Sequence, residues 1–439
     1  MPPVREESDD RGGMGQGLLS AGFARSAGTL RCEGVPLDAV ADVAGTPSYV
    51  YSAATIRNRY ELLAETLAPV PHRIHYTLKA NSNRAILQVM RGLGAGVDVV
   101  SGGELYRAQR AGFNGNDIIF GGVGKTEREL EQALDAGVLL INVESEAELH
   151  LIDQIAARRR TRAPVSIRVN PEITVDAAHQ YIRTGERGHK FGIPFDDAHR
   201  VAQLAASLPH VTLLGLDMHL GSQLSRVDPY RAGTERLTSI AADLRRHGVT
   251  SLRHLDIGGG LGVRYDSEEP PDLARFAHSV LPLVAESGLQ LIMEPGRFIV
   301  GNAGVLLTRV LYRKHSGGKE YVITDAGMTE LLRPSHYGAF HRIEAVHAAE
   351  ERVHADVVGP VCESGDFLAL DRDMQNVQPG ELLAVFDVGA YGFVMASNYN
   401  SRPRGAEVLV DGDRFAVVTE RESYETLVQQ EVDDPEWRS

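Results

Sequence analysis

R-I-H-Y-T-L-K-A-N-S-N, from Arg73 to Asn83, is a short β-type run that ends on one lysine and breaks into small, turn-forming residues. Ile74, Tyr76 and Leu78 alternate with His75, Thr77 and Lys79, so in a strand Lys79 emerges on the side of His75 and Thr77. The stretch opens a series. From here to Gly296 a β-type run followed by a helical stretch recurs, with runs at Arg73 to Ala80, Val97 to Ser101, Asp117 to Gly122, Leu139 to Ser145, Val165 to Asn170, Leu213 to Gly221, His254 to Gly260 and Leu289 to Gly296. Between them apolar residues return at three and four positions, as in Arg84 to Leu93, Gly103 to Arg110, Glu127 to Ala136 and Glu146 to Arg159. About eight β/α units over roughly 220 residues is the count and length at which parallel strands close into a TIM-type (β/α)8 barrel. An open doubly wound sheet is the competitor, but its G-x-G-x-x-G opening is missing after the first strand.

Outward from the barrel, the pattern changes on both sides. Residues 1–28 are rich in Gly, Ser, Arg and Asp without periodicity, and are predicted to be a disordered leader, with Met14 as an alternative start. Residues 29–52 are expected to pack on a second domain, with a short strand from Ser48 to Tyr51; a helix from Ala53 to Leu67 then enters the barrel, which spans 53–303. From 304 to 430, strand-like runs appear without alternating helices: Val305 to Tyr312, Glu320 to Thr324, Ala355 to Val361, Leu382 to Asp387, Glu407 to Val410 and Arg414 to Val418. Hairpin signals such as Ser316-Gly317-Gly318 and Asp411-Gly412-Asp413 separate some of them, which predicts an all-β domain followed by a frayed tail at 431–439.

Composition narrows the function. A chain of 439 residues points to two domains, and 43% apolar content is ample for real cores. The net charge of −14 repels a phosphate backbone or an anionic membrane, so neither nucleic acid nor membrane is an expected partner. The one basic cluster, Arg158, Arg159, Arg160 and Arg162, falls at a helix C-terminus, where cations complement the dipole. No stretch reaches the ~18 apolar residues of a membrane span, so a soluble, cytoplasmic protein is expected. Two cysteines, Cys32 and Cys362, are too few for a disulfide scaffold. No metal site is expected, because His336 and His341 have no cysteine or matching carboxylate at ligand spacing.

In a β/α barrel the chemistry lies at the C-terminal ends of the strands, with phosphate held by the last loops. The unusual residues stand there. Lys79 ends the first strand, Asp98 and Ser101-Gly102-Gly103-Glu104 the second, His219-Leu220-Gly221-Ser222 the sixth, Gly258-Gly259-Gly260-Leu261-Gly262 the seventh and Glu294-Pro295-Gly296-Arg297 the eighth. Glycine clusters bring backbone N–H groups close to an anion, so the last two loops and the Ser222 hydroxyl make a phosphate cradle. G-G-G-L-G alone is weak; its place in the barrel strengthens it. A strand-end lysine is usually a solvated charge, but a desolvated one loses some of its preference for the charged form, which suits it to imine chemistry with a carbonyl cofactor such as pyridoxal phosphate.

From about Leu30 to Leu427 the chain resembles the diaminopimelate decarboxylases, a family of fold-type III, alanine-racemase-like pyridoxal-phosphate enzymes related to ornithine and arginine decarboxylases. The motifs are HYTLKANSN, GVDVVSGGEL, FGGVGKT, RVNP, HQYIRTG, HKFGI, DMHLGSQ, LDIGGGLG, MEPGRF, DAGMTELLRPSHYGAFH, GPVCESGD and GAYGFVMASNYNSRPR. The resemblance implies that Lys79 carries the cofactor, that His219 stacks on its ring and that Glu294 pairs with the ring nitrogen. It places Asp98 at the cofactor as well, and Ser222, Gly259, Gly260, Gly296, Arg297 and Tyr391 about the phosphate. Cys362, from the second subunit of a homodimer, would return the proton, so each active site would be shared. Thr77-Leu78 stand where smaller residues are expected.

The implied reaction removes the D-centre carboxylate of meso-2,6-diaminopimelate to give L-lysine, the last step of lysine biosynthesis. Its substrate has a distal carboxylate, for which Arg297, Arg333 and Tyr337 are the candidates, with Glu363 for the distal ammonium, while Tyr391 would reach the substrate as well as the phosphate. The alternative is the same chemistry on another amino acid, free or carrier-bound, in secondary metabolism. A racemase needs a second base and usually lacks the C-E-S-G-D loop, and a cofactor-free regulatory relative would have lost Lys79 or Cys362. Glu186, Arg187 and His189 are read equally as a mobile loop over the site or a solvated turn.

Overall fold

The computed structural model describes residues 22–175 and 185–438; most of the expected leader, at 1–21, and His179 to Thr184 of the H-Q-Y-I-R-T-G run lie outside the described residues. Eight strands form the barrel: β1 (His72–Thr77), β2 (Gly96–Val99), β3 (Ile118–Phe120), β4 (Leu140–Val143), β5 (Ala163–Asn170), β6 (Val211–Asp217), β7 (His254–Asp256) and β8 (Gln290–Met293). Each pairs in parallel with the next, and β8 closes on β1 with Met293 opposite Ile74. The TIM-type barrel read from the repeat is therefore the observed fold. Several runs were read too long at their ends because the apolar pattern continues after ladder pairing stops; Lys79, for example, lies two residues past β1.

Alternation along the strands sorts the two faces. Ile74 and Tyr76 join the core beneath the helices, whereas Ile119, Leu140 and Ile292 form a separate apolar plug on the barrel axis. Toward the C-terminal mouth the inward positions turn polar: Asp98, Asn142, Asp217, Asp256 and Glu294 are all buried. Helices follow from local caps, such as the Thr126 and Glu129 capping box that opens Glu127–Ala136. At the end of Glu146–Arg159, Arg158 and Arg159 reach Glu127 and Asp135, which accounts for the basic cluster. Ala53–Leu67 packs beside Leu273–Ser287 and Arg84–Gly92, filling the place after β8, where the chain has only the short helix Arg297–Val300 before it leaves the barrel.

The second sheet is built on the long strand Gly304–Ser316. Its first half lies between Leu382–Phe386 and Ser48–Ser52, and its second half pairs with Lys319–Thr324 across a Gly317-Gly318 turn with φ of 59° and 81°. The sheet continues through Arg352–Val358 to Phe367–Gln375 at one end, and through Ala406–Asp411 to Arg414–Thr419 at the other. The expected leader gives way to structure before Gly28: Phe23–Ser26 pairs with Thr29–Cys32, because Phe23, Leu30 and Cys32 are buried against Leu307, Phe386 and Val408. Among the described residues, no helix is long and apolar enough to cross a membrane.

Candidate active site

The turn after β1 joins the barrel to the sheet domain. Asn81 Nδ2 donates to the Gly389 carbonyl at 3.1 Å, Asn83 Nδ2 to Glu407 Oε2 at 2.8 Å, and the Tyr391 N–H to the Ala80 carbonyl at 2.8 Å. Tyr391 sits at φ 57°, a left-handed conformation that only over-determined surroundings keep. Where the two domains meet, at the C-terminal ends of the strands, a cavity of about 740 Å³ opens.

Its floor holds Lys79, Asp98, His219 and Glu294. Lys79 is half-buried, with Nζ 3.0 Å from Asp98 Oδ2; the same oxygen accepts the Thr77 hydroxyl at 2.5 Å. The weakening of the charged form expected from burial is reversed. Burial does favour loss of the proton, but Asp98, Glu294 and Tyr391 outweigh it and raise the Lys79 pKa. It also gives Thr77 a purpose where a smaller residue was expected. Burial, then the charges of Lys79 and Arg168, keep His219 well below the usual imidazole range. The neutral ring accepts the Gly259 N–H at Nδ1 (3.3 Å), which puts its proton on Nε2. Glu294 accepts from Asn142 Nδ2 at 3.4 Å; burial and then Asp256 raise its pKa.

The rim has the opposite sign. Arg297 and Arg333 are both buried. Arg297 donates to the Tyr265 hydroxyl at 2.6 Å and to Ser222 Oγ at 3.2 Å, with its guanidinium 4.7 Å from the Tyr391 ring centre. Arg333 lies 4.6 Å from the Tyr265 ring centre and donates to His341 Nε2 at 3.1 Å, while His341 Nδ1 donates to the Phe386 carbonyl at 2.8 Å. Among the described residues neither arginine has a carboxylate partner, and the Nε of each is buried without a hydrogen bond. Burial, then Arg297, depress the Arg333 pKa. Tyr337 lines the same side.

Gly259 and Gly260 follow β7, and Gly296 follows β8. A Cβ on Gly259 would stand 2.1 Å from the Glu294 carbonyl oxygen, and one on Gly296 2.4 Å from Thr77 Cγ2. Glycine is thus required at both positions, at Gly259 because two loops meet backbone to backbone and at Gly296 because the Thr77 and Ala80 side chains pack against it, which fixes where Glu294 and Arg297 project. Cys362 and Glu363 are not brought into the cavity. Cys362 is exposed on the sheet domain, its N–H on Asn400 Oδ1 at 3.1 Å, and Glu363 is hydrogen-bonded to the Tyr399 side chain. Glu186 instead accepts the Val175 N–H at 3.2 Å beside β5.

Several residues of the site escaped the reading of the sequence. Arg168, Asn142 and Asp217 line the cavity, and Asp256 is buried on β7 below it. Their signal was the inward parity of V-S-I-R-V-N and its sister strands. Tyr265 gave no signal, since its loop has no periodicity.

With this geometry in place, likeness to known proteins is decisive. The model of the family described as "Pyridoxal-dependent decarboxylase, pyridoxal binding domain" matches residues 53–301. The diaminopimelate decarboxylase of Pseudomonas aeruginosa is 47% identical over 401 residues, covering 91% of this chain and 95% of its own. The chain belongs to the diaminopimelate decarboxylase family. Within the family, the Vibrio cholerae member is 45% identical over 91% of this chain and 96% of its own length. The crystal structure of the Helicobacter pylori enzyme complexed with L-lysine superposes with a TM-score of 0.86 at 39% identity, covering 90% of this chain and 99% of that one. The M. jannaschii enzyme in co-complex with L-lysine reaches 0.90 at 32% identity, covering 95% and 99%.

The cavity suits the pyridoxal group that the family uses. A cationic rim with unpartnered guanidinium nitrogens faces an acidic floor across one lysine, which matches a ligand with a phosphate at one end, a basic ring nitrogen at the other and a carbonyl between.

Proposed function

We propose that the chain decarboxylates meso-2,6-diaminopimelate to L-lysine, with pyridoxal 5'-phosphate as cofactor. The observation that carries the substrate choice is the pair Arg297 and Arg333: two buried cations in one cavity with no carboxylate opposite either among the described residues. Arg297, with Ser222 and the loops of Gly259, Gly260 and Gly296, holds the phosphate. Arg333, with Tyr337 and Tyr391, is then left for the distal carboxylate. A substrate ending in a bare ammonium would leave Arg333 buried and unpaired, which is unfavourable.

When bound, the cofactor supplies the electron sink that lets the bond to the departing carboxylate break. The rest is the work of the side chains. Lys79 is the tether, and Asp98 Oδ2, 3.0 Å from Nζ, is placed to take the proton that the ammonium must shed before it can act as a nucleophile. Neutral His219 would pack on the ring and Glu294 would answer its nitrogen. The Cys362 thiol returns a proton to the carbon that lost its carboxylate, and Glu363 binds the distal ammonium. Both are exposed and outside the cavity of their own chain, which supports a homodimer in which each chain lends them to its partner. Two free thiols fit the cytoplasm.

Turnover against a panel of diaminopimelate, ornithine, lysine and arginine tests the reading. Lysine and CO2 from diaminopimelate are expected; release of CO2 from another acid only would overturn the substrate. Lys79→Ala should abolish both turnover and the absorbance band of the tethered cofactor, and an unchanged band would overturn the tether.

A further inference from the structure

Five carboxylates crowd the upper interior of the barrel and two cations answer them. Asp98 is paired with Lys79 at 3.0 Å, while Glu144 and Asp217 share Arg168, the first in close contact and the second at 3.8 Å. Among the described residues, Asp256 and Glu294 have no cation of their own. Oxygens of Asp217, Asp256 and Glu294 all lie within 4.8 Å of one another, and the three residues are only 2%, 0% and 6% exposed. Asp256 Oδ1 accepts the Gly258 N–H at 2.8 Å, but Asp256 Oδ2 and Asp217 Oδ1 are buried without any donor. Carboxylates sharing a buried site cannot all ionise, so a proton stays among them. Burial and then Asp256 raise the Asp217 pKa although Arg168 lies 3.8 Å away and opposes them, so all three carboxyls compete for the proton; Asp256 and Glu294 are the two without a guanidinium beside them.

We propose that Asp256 is a positioning residue for Glu294: the two hold one proton between them, and this hydrogen bond fixes the Glu294 carboxyl under the ring nitrogen of the cofactor. The proposal rests on the assignment of Glu294 to that nitrogen. Among the described residues, Asp217, Lys79, Arg168, Asp98 and neutral His219 are the other charged or titratable groups around the pair. Burial pushes the Asp256 carboxyl up to about 7, against the Gly258 N–H and Glu294, which favour its ionised form. The proton balance is simple. A basic nitrogen arriving at Glu294 takes the shared proton, an N–H bond replaces the O–H bond, and the pair goes from one negative charge to two, the second balanced by the new cation.

Asp256→Asn is the test, because it keeps the oxygen that accepts from Gly258 and the shape of the side chain while removing the acid. In infrared difference spectra of the coenzyme-free protein at neutral pH, wild type minus Asp256→Asn should show the carbonyl band of a protonated carboxylic acid. Glu294→Gln should remove the same band, and Asp217→Asn should keep it. A band that survives Asp256→Asn, or is absent from wild type, overturns the proposal. In the holoenzyme, Asp256→Asn should weaken pyridoxal-phosphate affinity roughly 10- to 100-fold, the usual effect of losing a hydrogen bond to a charged group. It should also move the pH dependence of the cofactor absorbance, with KM for diaminopimelate nearly unchanged. Wild-type affinity and an unmoved absorbance titration in a folded variant overturn the positioning role. If Asp256→Asn does not fold, the Glu294→Gln spectrum decides alone. Glu294→Gln that binds cofactor as tightly as wild type would refute the Glu294 assignment separately, since the infrared result does not depend on it.

Discussion

Arg333 is the single side chain on which the proposed choice of ligand turns. His341 and the Tyr265 ring hold its guanidinium, and neither neutralises it, so the charge is left for whatever enters the cavity. Arg333→Lys keeps a charge but loses the planar fork, and should raise KM for diaminopimelate roughly 10- to 100-fold with a smaller change in kcat. Equal KM values for the two proteins would remove Arg333 from the site. Glu104 makes a different prediction. Burial pushes its carboxyl up to about 7 from 4.5, against the Val100 N–H that bonds it at 2.8 Å. Between those values the folded chain holds a proton that the unfolded chain has released, so this contribution to stability is greatest below pH 4.5 and declines as the pH rises to about 7. Thermal melts should therefore show wild type losing ground to Glu104→Gln across that window; a gain would contradict the assignment. Lys79, His219 and Glu294 were legible in the sequence because they stand where strands end in small residues. Arg168, Asp217 and Asp256 were not, since placing them inside the barrel requires the register of neighbouring strands.

At the level of elements, the loops after β7 and β8 position the groups that the strands deliver. Gly296 is the clearest case: an added Cβ would meet Thr77 Cγ2 at 2.4 Å and Ala80 Cβ at 2.8 Å, both on the segment that carries Lys79. Gly296→Ala must push the β8 loop away from β1, and Arg297 moves with it. Cofactor affinity should fall by at least about tenfold, from losing one charge-assisted hydrogen bond, while the melting temperature drops only modestly. Titration with pyridoxal phosphate alongside a thermal melt checks this; unchanged affinity would mean that the loop adapts without moving Arg297. The barrel's elements were legible because β/α alternation repeats eight times and each repeat confirms the last. Phe367–Gln375 escaped notice for a physical reason: as the edge of its sheet it carries Asp371, Arg372 and Asp373, charges that discourage further pairing and hide the strand pattern. Phe23–Ser26 was hidden by its neighbours, one buried aromatic in a segment otherwise read as leader.

For the whole molecule, the difficulty is that, among the described residues, the cavity lined by Lys79 holds no thiol, and the exposed Cys362 lies outside it. Cys362 stands beside Glu363 and the partly exposed Tyr399 on the outside of the sheet domain, while Lys79 lies where that domain closes on the barrel. A two-fold dimer resolves this if the face bearing Cys362 covers the cavity of its partner, because an isologous interface builds both sites at once. Complementation then has a defined outcome. Lys79→Ala and Cys362→Ser should each be nearly inactive as pure dimers. Unfolded together and refolded in equal amounts, half of the dimers are mixed, and each mixed dimer joins one intact Lys79 to one intact Cys362 in one of its two sites. Activity should therefore return to about a quarter of wild type, the fraction that random assortment gives for a symmetric dimer. If Lys79 and Cys362 served the same site from one chain, every site in the mixture would still lack one of them and no activity would return.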